Sequence, residues 1–226
     1  MFQQTNIQAI LFDYDGVVVN MDKTLALKAA DDHYASFILP PLTVLTDLIY
    51  NNPFNTELDL GKISIEELRE RLRVQAWKGD KESWSQWWEA VDNSYKISQP
   101  MQKLLSKLHS KYRLGLISDN HIGFRRWLES RPDITQYFDT IVCSAEEGIK
   151  KPDKRIFLHA MHEIHSTFAT TIFIDDYQAN VIAARTFGMP AIHFRTYTQM
   201  QEELQKILGS LCKYKGDYHA ITKRAL

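Results

Sequence analysis

Hydrophobic residues along the chain follow two different patterns, which change near residues 20 and 98. Ile7 to Phe12 is a short apolar run that ends abruptly in the polar string DYDG, as a buried strand followed by a turn does. From about Met21 to Ile97 the spacing of apolar residues is helical, and no stretch is convincing as a strand. A first helix is predicted from about Asp22 to Phe37, ahead of a pair of prolines.

Two more helices are predicted within this middle segment. Ser64 is a candidate N-cap with Glu67 three residues later, which is the pattern of a capping box. A further helix is predicted from about Ser83 to Tyr95 and carries three tryptophans at the spacing of one helical face. These rings suit the core of a small helical domain, a surface that stacks on a substrate, or a dimer face, and the sequence leaves all three open.

After Pro100, short apolar runs alternate with helical segments. The predicted strands are Arg113–Ser118, Thr140–Cys143, Thr171–Ile174 and Ala191–Phe194. The predicted helices are Met101–Ser110, Phe124–Glu129, Asp153–Ile164 and Ala179–Phe187. This alternation indicates an α/β fold with a doubly wound parallel sheet of the Rossmann-like type. We therefore predict a core domain of residues 1–19 and 98–226, interrupted at 20–97 by a small all-helical cap domain.

The composition narrows the class of protein without choosing a function. The chain has 226 residues, a net charge of −1 and 44% hydrophobic residues, which argues against disorder and against nucleic acid or an anionic membrane as partner. No apolar run approaches the roughly 18 residues that cross a bilayer. Two cysteines, Cys143 and Cys212, are too few for a disulfide framework. A cytoplasmic protein is expected, either a monomer or a homodimer.

The candidate chemistry lies where the predicted strands end, because parallel sheets bind ligands beyond the carboxyl ends of their strands. These positions are occupied by Asp13, Asp15, Ser118, Asp119, Lys151, Asp175 and Asp176. Several carboxylates in a small space repel one another unless a divalent cation joins them, and hard oxygen ligands suit Mg²⁺. A hydroxyl and an ammonium group beside that cation could hold a phosphoryl group.

The same residues carry a family resemblance. DYDG, Ser118, Lys151-Pro152 and Asp175-Asp176 follow one another in the order of the haloacid dehalogenase-like (HAD) hydrolase superfamily, and the likeness extends from about Gln8 to Phe194. The chain most resembles the phosphatase-type subgroup, in which a helical cap is inserted after the first motif and the fourth motif is a paired Asp. Dehalogenases of this family lack the second Asp of the first motif, so Asp15 disfavours that activity.

The resemblance implies a catalytic role for four residues. Asp13 would be the nucleophile that forms an aspartyl-phosphate. Asp15 would protonate the leaving alcohol and then deprotonate the attacking water. Ser118 would hydrogen-bond the phosphoryl group, and Lys151 would stabilise the charge on Asp13 and on that group.

The resemblance also implies how Mg²⁺ is held. A carboxylate oxygen of Asp13, the backbone carbonyl of Asp15 and the carboxylate of Asp176 would bind the ion. Asp175 would bind it through water or orient the other ligands. One departure concerns Asp119, which stands where the family usually has Asn or a small residue. Its backbone N–H could still serve the phosphate, but its carboxylate is unfavourable there unless it points away or pairs with a cation.

The predicted function is a Mg²⁺-dependent phosphatase acting on a small phosphorylated metabolite, either a sugar phosphate or a nucleoside monophosphate. A cap over the site disfavours a phosphoprotein as substrate. One alternative is a phosphomutase of the β-phosphoglucomutase type, which returns the phosphoryl group to the sugar. A second alternative is a non-catalytic binding protein that retains the fold.

Overall fold

A computed structural model of the chain describes residues 6–22, 25, 28, 32, 36 and 52–209. The helix predicted from Asp22 to Phe37 lies almost wholly outside the described residues. In the part that is described, no helix combines the length and the apolar character that crossing a membrane requires.

The centre of the molecule is a parallel sheet of five strands. Its strands are β1 (Ala9–Phe12), β4 (Arg113–Ser118), β5 (Thr140–Cys143), β6 (Thr171–Asp175) and β7 (Ala191–His193). They lie in the order β5-β4-β1-β6-β7 and all pairs are parallel. The doubly wound α/β sheet predicted from the alternating pattern is thus confirmed.

The central strand explains why its sequence is a continuous apolar run. All four residues of β1 are fully buried, because a strand in the middle of a parallel sheet is covered on both faces. Ile10 and Phe12 belong to the hydrophobic cluster on one face, and Ala9 and Leu11 belong to the cluster on the other face. This is the two-residue alternation of a strand.

Helices cover both faces of the sheet. The helices that follow the middle segment are α4 (Gln99–His109), α5 (Phe124–Glu129), α6 (Pro132–Thr135), α7 (Ser144–Glu147), α8 (Lys154–Glu163), α9 (Gln178–Thr186) and α10 (Tyr197–Leu208). Apolar side chains of α4 and α10 join the first cluster, while those of α8 and α9 join the second. Helix α10 was not predicted; its start is a capping box of Thr196 and Gln199.

From residue 52 onward, the middle segment has the helices α1 (Asn55–Asp59), α2 (Ile65–Ala76) and α3 (Lys81–Ser94). Ser64 caps α2 as predicted, because its hydroxyl accepts a hydrogen bond from the N–H of Glu67 at 3.1 Å. The four tryptophans of this segment are all buried in one hydrophobic cluster, which they share with Leu68 and Leu72. The three helices therefore pack around a hydrophobic cluster of their own.

The expectation that this segment contains no strand was wrong at its edges. β2 (Val19–Met21) pairs antiparallel with β3 (Tyr95–Ile97), so that Val19 lies opposite Ile97. Each strand has only three residues, which is too short for a periodic pattern to reveal, and the pairing joins positions far apart in sequence. The antiparallel pair brings the two ends of the middle segment together.

The register of the sheet places the candidate residues at one edge. Phe12 of β1 lies opposite Leu116 of β4 and Ile174 of β6. The residues that follow these positions, including Asp13 and Asp175, therefore emerge at the same end of the sheet.

Candidate active site

Lys151 joins two of the predicted carboxylates. Its ammonium nitrogen lies 2.8 Å from Oδ1 of Asp13 and 2.8 Å from Oδ2 of Asp175. All three residues are buried. Although burial opposes the charged ammonium, Asp13 and Asp175 outweigh it and raise the pKa of Lys151 above its usual value. The lysine is therefore a fixed positive charge at this edge of the sheet.

Asp175 is held by more partners than any other carboxylate of the site that we describe. Besides Lys151, its Oδ2 accepts a hydrogen bond from the side chain of Asn180 at 3.0 Å, and its Oδ1 accepts one from the N–H of Tyr177 at 2.6 Å. Asp176, by contrast, is exposed and lies beside Gly16. Asp175 is thus held by neighbouring groups, whereas the Asp176 side chain is open to solvent.

Asp15 contacts the end of β4 through Asn120. The Asn120 side-chain amide donates to Oδ2 of Asp15 at 3.3 Å and to the Ser118 hydroxyl at 3.4 Å. Asn120 is itself fixed by buried Ser144, whose hydroxyl accepts from the Asn120 N–H at 3.0 Å and lies 3.3 Å from its carbonyl oxygen. The amide of Asn120 is thus held against two predicted catalytic groups.

Ser118 and Asp119 are brought to the site in different ways. Ser118 is only 1% exposed and is not among the residues that line either of the two cavities described below. Asp119 lines both of them, but its Oδ1 accepts a hydrogen bond from the backbone N–H of Lys151 at 3.0 Å. The Asp119 carboxylate, which departs from the family pattern, is therefore hydrogen-bonded to the backbone of Lys151 rather than left unpaired.

Burial dominates the electrostatics of the acids. It raises the pKa of Asp13 well above its usual value, and Lys151 opposes this shift while Asp175 and Asp15 add to it. Burial raises the pKa of Asp15 to about 6, with Lys151 opposing and Asp176 and Asp59 adding. Burial is thus the main reason that these two acids resist carrying their full charge, and repulsion from neighbouring carboxylates adds to it. A cation at this place would relieve that repulsion.

The donor set fits such a cation. Asp13, Asp175 and Asp176 each offer a carboxylate oxygen, and these three atoms lie within 4.8 Å of one another. Hard oxygen donors of this kind suit Mg²⁺. Gly16 shapes the same spot: its φ is +78°, and a Cβ there would lie 2.3 Å from an Asp176 oxygen. The glycine therefore provides both the left-handed turn and the space that the Asp176 carboxylate occupies.

Two cavities meet at these residues. A cavity of about 600 Å³ is lined by Asp13, Asp15, Gly16, Asp119, Lys151 and Asp176, together with residues of β2, β3 and α9. A larger cavity of about 740 Å³ lies between α1–α3 and the loop after β4, and Asp15 and Asp119 line it as well. Asp15 thus lies where the smaller cavity, which contains Asp13 and Lys151, meets the larger one.

Comparison with known proteins identifies the family. The family model described as haloacid dehalogenase-like hydrolase matches residues 10–194. The chain belongs to the haloacid dehalogenase-like hydrolase family. The matched region runs from β1 to the residue after β7, so it includes every predicted site residue.

Relatives of this HAD hydrolase include named phosphatases. It is 25% identical over 218 residues to D-ribitol-5-phosphate phosphatase of Bacteroides thetaiotaomicron, covering 90% of this chain and 100% of the relative. It is 24% identical over 160 residues to the pyrimidine 5'-nucleotidase YjjG of Escherichia coli, covering 68% of each.

Solved structures share the fold of this HAD hydrolase. One is a HAD family enzyme of Bacteroides thetaiotaomicron in complex with magnesium and inorganic phosphate, with a TM-score of 0.66 at 21% identity over 86% of this chain and 99% of that one. Another is a 2-haloacid dehalogenase of Pseudomonas syringae, with a TM-score of 0.55 at 19% identity over 88% and 99%. Phosphate-bound and dehalogenase structures therefore share one fold, and the fold alone does not decide the reaction.

Several residues that contact the predicted acids were not identified from the sequence of this HAD hydrolase. Asn120 bonds to Asp15, Asn180 bonds to Asp175, and Ser144 positions Asn120. Asn180 follows the paired Asp by one helical turn, a spacing that is a usable signal. Asn120 follows Ser118 and Asp119 at the end of β4, so its place in the sequence was also a signal, although its bond to Asp15 joins residues 105 positions apart. Ser144 gave none.

Proposed function

We propose that the protein is a Mg²⁺-dependent phosphatase that forms an aspartyl-phosphate on Asp13. The observation that carries this proposal is the position of Asp13, which contacts Lys151 and lines the same cavity as Asp15. Nucleophile, fixed cation and acid are the parts that such a displacement needs. Asp15 and the paired Asp also favour this reaction over dehalogenation.

In the first step, a carboxylate oxygen of Asp13 forms a bond to phosphorus while the bond to the leaving oxygen breaks. Asp15 supplies the proton that the leaving oxygen takes up. In the second step, a water oxygen attacks the phosphorus, its proton returns to Asp15, and the bond to Asp13 breaks to release phosphate. Lys151 faces Asp13 during both steps, and its positive charge stabilises the negative charge that develops there.

Asp13, Asp176 and the backbone of Asp15 would hold Mg²⁺, with Asp175 orienting the set. The ion supplies charge neutralisation on the phosphoryl oxygens when it is bound. The residues themselves divide the work: Asp175 keeps Lys151 in place, and Gly16 leaves room for the Asp176 carboxylate.

We further propose that residues 20–97 form a cap over a core of residues 1–19 and 98–226. The separate hydrophobic cluster of α2 and α3 supports this division, and β2 and β3 stand where the cap joins the core. A cavity bounded by both parts suits a small substrate, and the two relatives are named for a pentitol phosphate and for pyrimidine nucleotides. A sugar or polyol phosphate or a nucleoside monophosphate is therefore the proposed substrate.

The test is hydrolysis of p-nitrophenyl phosphate with and without Mg²⁺ by the parent and by Asp13→Asn. Loss of the nucleophile should lower kcat on the order of a thousandfold or more, and a chelator should lower the parent's rate. Glu202→Gln removes an exposed carboxylate from α10 and is the matched control. Equal, metal-independent rates in parent and Asp13→Asn would refute the mechanism.

The same assay separates the alternatives. A phosphomutase would isomerise a hexose phosphate without releasing inorganic phosphate, so phosphate release from sugar phosphates argues against it. A binding protein would show no turnover across a panel of phosphate esters. A cytoplasmic location and a monomeric or homodimeric state also remain predictions, and size-exclusion chromatography with light scattering measures the latter.

A further inference from the structure

The larger cavity is the place for the part of the substrate that leaves. Asp15 and Asp119 line both cavities, whereas Asp13, Lys151 and Asp176 line only the smaller one. If the phosphoryl group is attacked by Asp13 and the leaving oxygen faces Asp15, the rest of the ester extends into the cavity of about 740 Å³. The charges on the walls of that cavity then decide which leaving groups it accepts.

Acidic groups outnumber basic ones among the described residues of these walls. The carboxylates belong to Asp15, Asp59, Glu66, Asp92 and Asp119, and the guanidinium groups belong to Arg69 and Arg126. Arg126 is exposed to solvent, so water and salt screen its charge. Among the described residues, Arg69 is therefore the shielded cation that could attract an acidic leaving group.

Arg69 is already neutralised. One of its terminal nitrogens lies 2.8 Å from both carboxylate oxygens of Asp92. Its guanidinium lies 4.7 Å from the ring centroid of buried Trp88, which fixes the group against an aromatic face. Both partners are partly shielded, with side-chain exposures of 27% and 37%. An incoming carboxylate would therefore meet a guanidinium group whose charge Asp92 already offsets.

The other polar groups that the structure describes in these walls add no positive charge. Burial lowers the pKa of His121, so its ring is neutral at pH 7. Asp59 is paired with Lys150 across the cavity's edge. Among the described residues, the uncharged part of the walls is mainly aromatic and aliphatic, as at Tyr14, Phe124 and Trp127, with polar groups from Asn52, Asn55, Asn120 and Ser130. Such walls suit carbon chains and rings, while the carboxylates accept hydrogen bonds from hydroxyl groups.

We propose that this cavity selects phosphate esters with an uncharged, hydroxyl-bearing leaving group and rejects those whose leaving group carries a carboxylate or a second phosphate. The Arg69–Asp92 pair enforces the selection, because Asp92 cancels the charge that an acidic group would need. The proposal rests on the proposed phosphatase function for its direction, since the leaving group must extend from Asp15.

The test compares D-ribitol 5-phosphate with D-ribonate 5-phosphate, which differ only in a terminal hydroxymethyl or carboxylate group. The parent should prefer the alcohol by on the order of tenfold in kcat/KM. Asp92→Asn leaves Arg69 uncompensated and should reduce that preference by a similar factor. Glu89→Gln removes an exposed carboxylate from the same helix, outside the lining, and should leave the ratio within about twofold.

A double variant tests whether the charge of Arg69 causes the change in preference. Adding Arg69→Gln to Asp92→Asn removes the freed cation, so the preference for the alcohol should return toward the parent's value. The ratio of two esters in one protein sample does not depend on how much of the protein is folded. An unchanged ratio in Asp92→Asn, or a double variant that behaves like the single one, would overturn the proposal.

A binding measurement distinguishes this failure from failure of the proposed function. If p-nitrophenyl phosphate is not hydrolysed, the phosphatase proposal is wrong, but the thermal shifts that the two esters cause still report the cavity's preference. Ribitol 5-phosphate should raise the Tm of the parent more than ribonate 5-phosphate, and Asp92→Asn should narrow the gap. Equal shifts in the parent would contradict the charge selection even if hydrolysis is observed.

Discussion

Lys151 is the cation that lets two buried carboxylates lie side by side, and Lys151→Met tests how much of the fold depends on it. In the variant, Asp13 and Asp175 lose a partner at 2.8 Å each while remaining buried. Removing one member of a buried ion pair costs about 3–5 kcal/mol, because the other charge is left uncompensated. Since whole domains are stable by about 5–15 kcal/mol, the change should be large.

The assay is urea unfolding followed by tryptophan fluorescence, in the presence of a chelator and again with Mg²⁺. We expect the loss of unfolding free energy in Lys151→Met to be smaller with Mg²⁺, because the ion takes over part of the neutralisation. Adding Asp175→Asn removes one of the two unpaired charges and keeps a carbonyl oxygen that can accept from the Tyr177 N–H. The double variant should therefore be more stable than Lys151→Met alone.

Lys206→Met removes an exposed lysine from α10 and should change stability by less than about 0.5 kcal/mol. The reasoning is refuted if Lys151→Met loses no more than this control. It is also refuted if the double variant is less stable than the single one, since the carboxylates would then not be the source of the cost.

Three more changes test the site and the middle segment. Gly16→Ala should weaken Mg²⁺ binding in calorimetric titration, because its Cβ would collide with Asp176; Gly188→Ala, with a similar φ of +83° and no atom within 4 Å, should not. Asn120→Ala should lower kcat by roughly tenfold for an alkyl phosphate, since Asp15 loses a hydrogen bond, and by less for p-nitrophenyl phosphate, whose leaving group needs no proton. Trp87→Ala should cost about 3–5 kcal/mol in urea unfolding, because the ring is 0% exposed within the tryptophan cluster.

The sheet and the catalytic edge were predictable because their signals are local. Buried strands such as β1 and β4 are continuous apolar runs, and the residues at their ends stand out as polar interruptions. The strand Arg113–Ser118 and the helix Phe124–Glu129 have the predicted boundaries. Strand β3 was not predicted because its three residues include exposed Lys96. Its partner strand β2 lies far away in the sequence, so no local pattern marks the pair.

The residues that complete the site differ from the motif residues in how they are positioned. Asp13 and Lys151 are recognisable because each stands in a short local motif, at a strand end or before a proline. Asn120 reaches Asp15 across 105 positions, and Arg69 reaches Asp92 from one helix to another. Such contacts depend on how whole elements pack, which no local pattern encodes. Short local motifs are therefore enough to propose the reaction class. The proposed choice of leaving group depends on tertiary packing, so it has to be tested at residues such as Asp92.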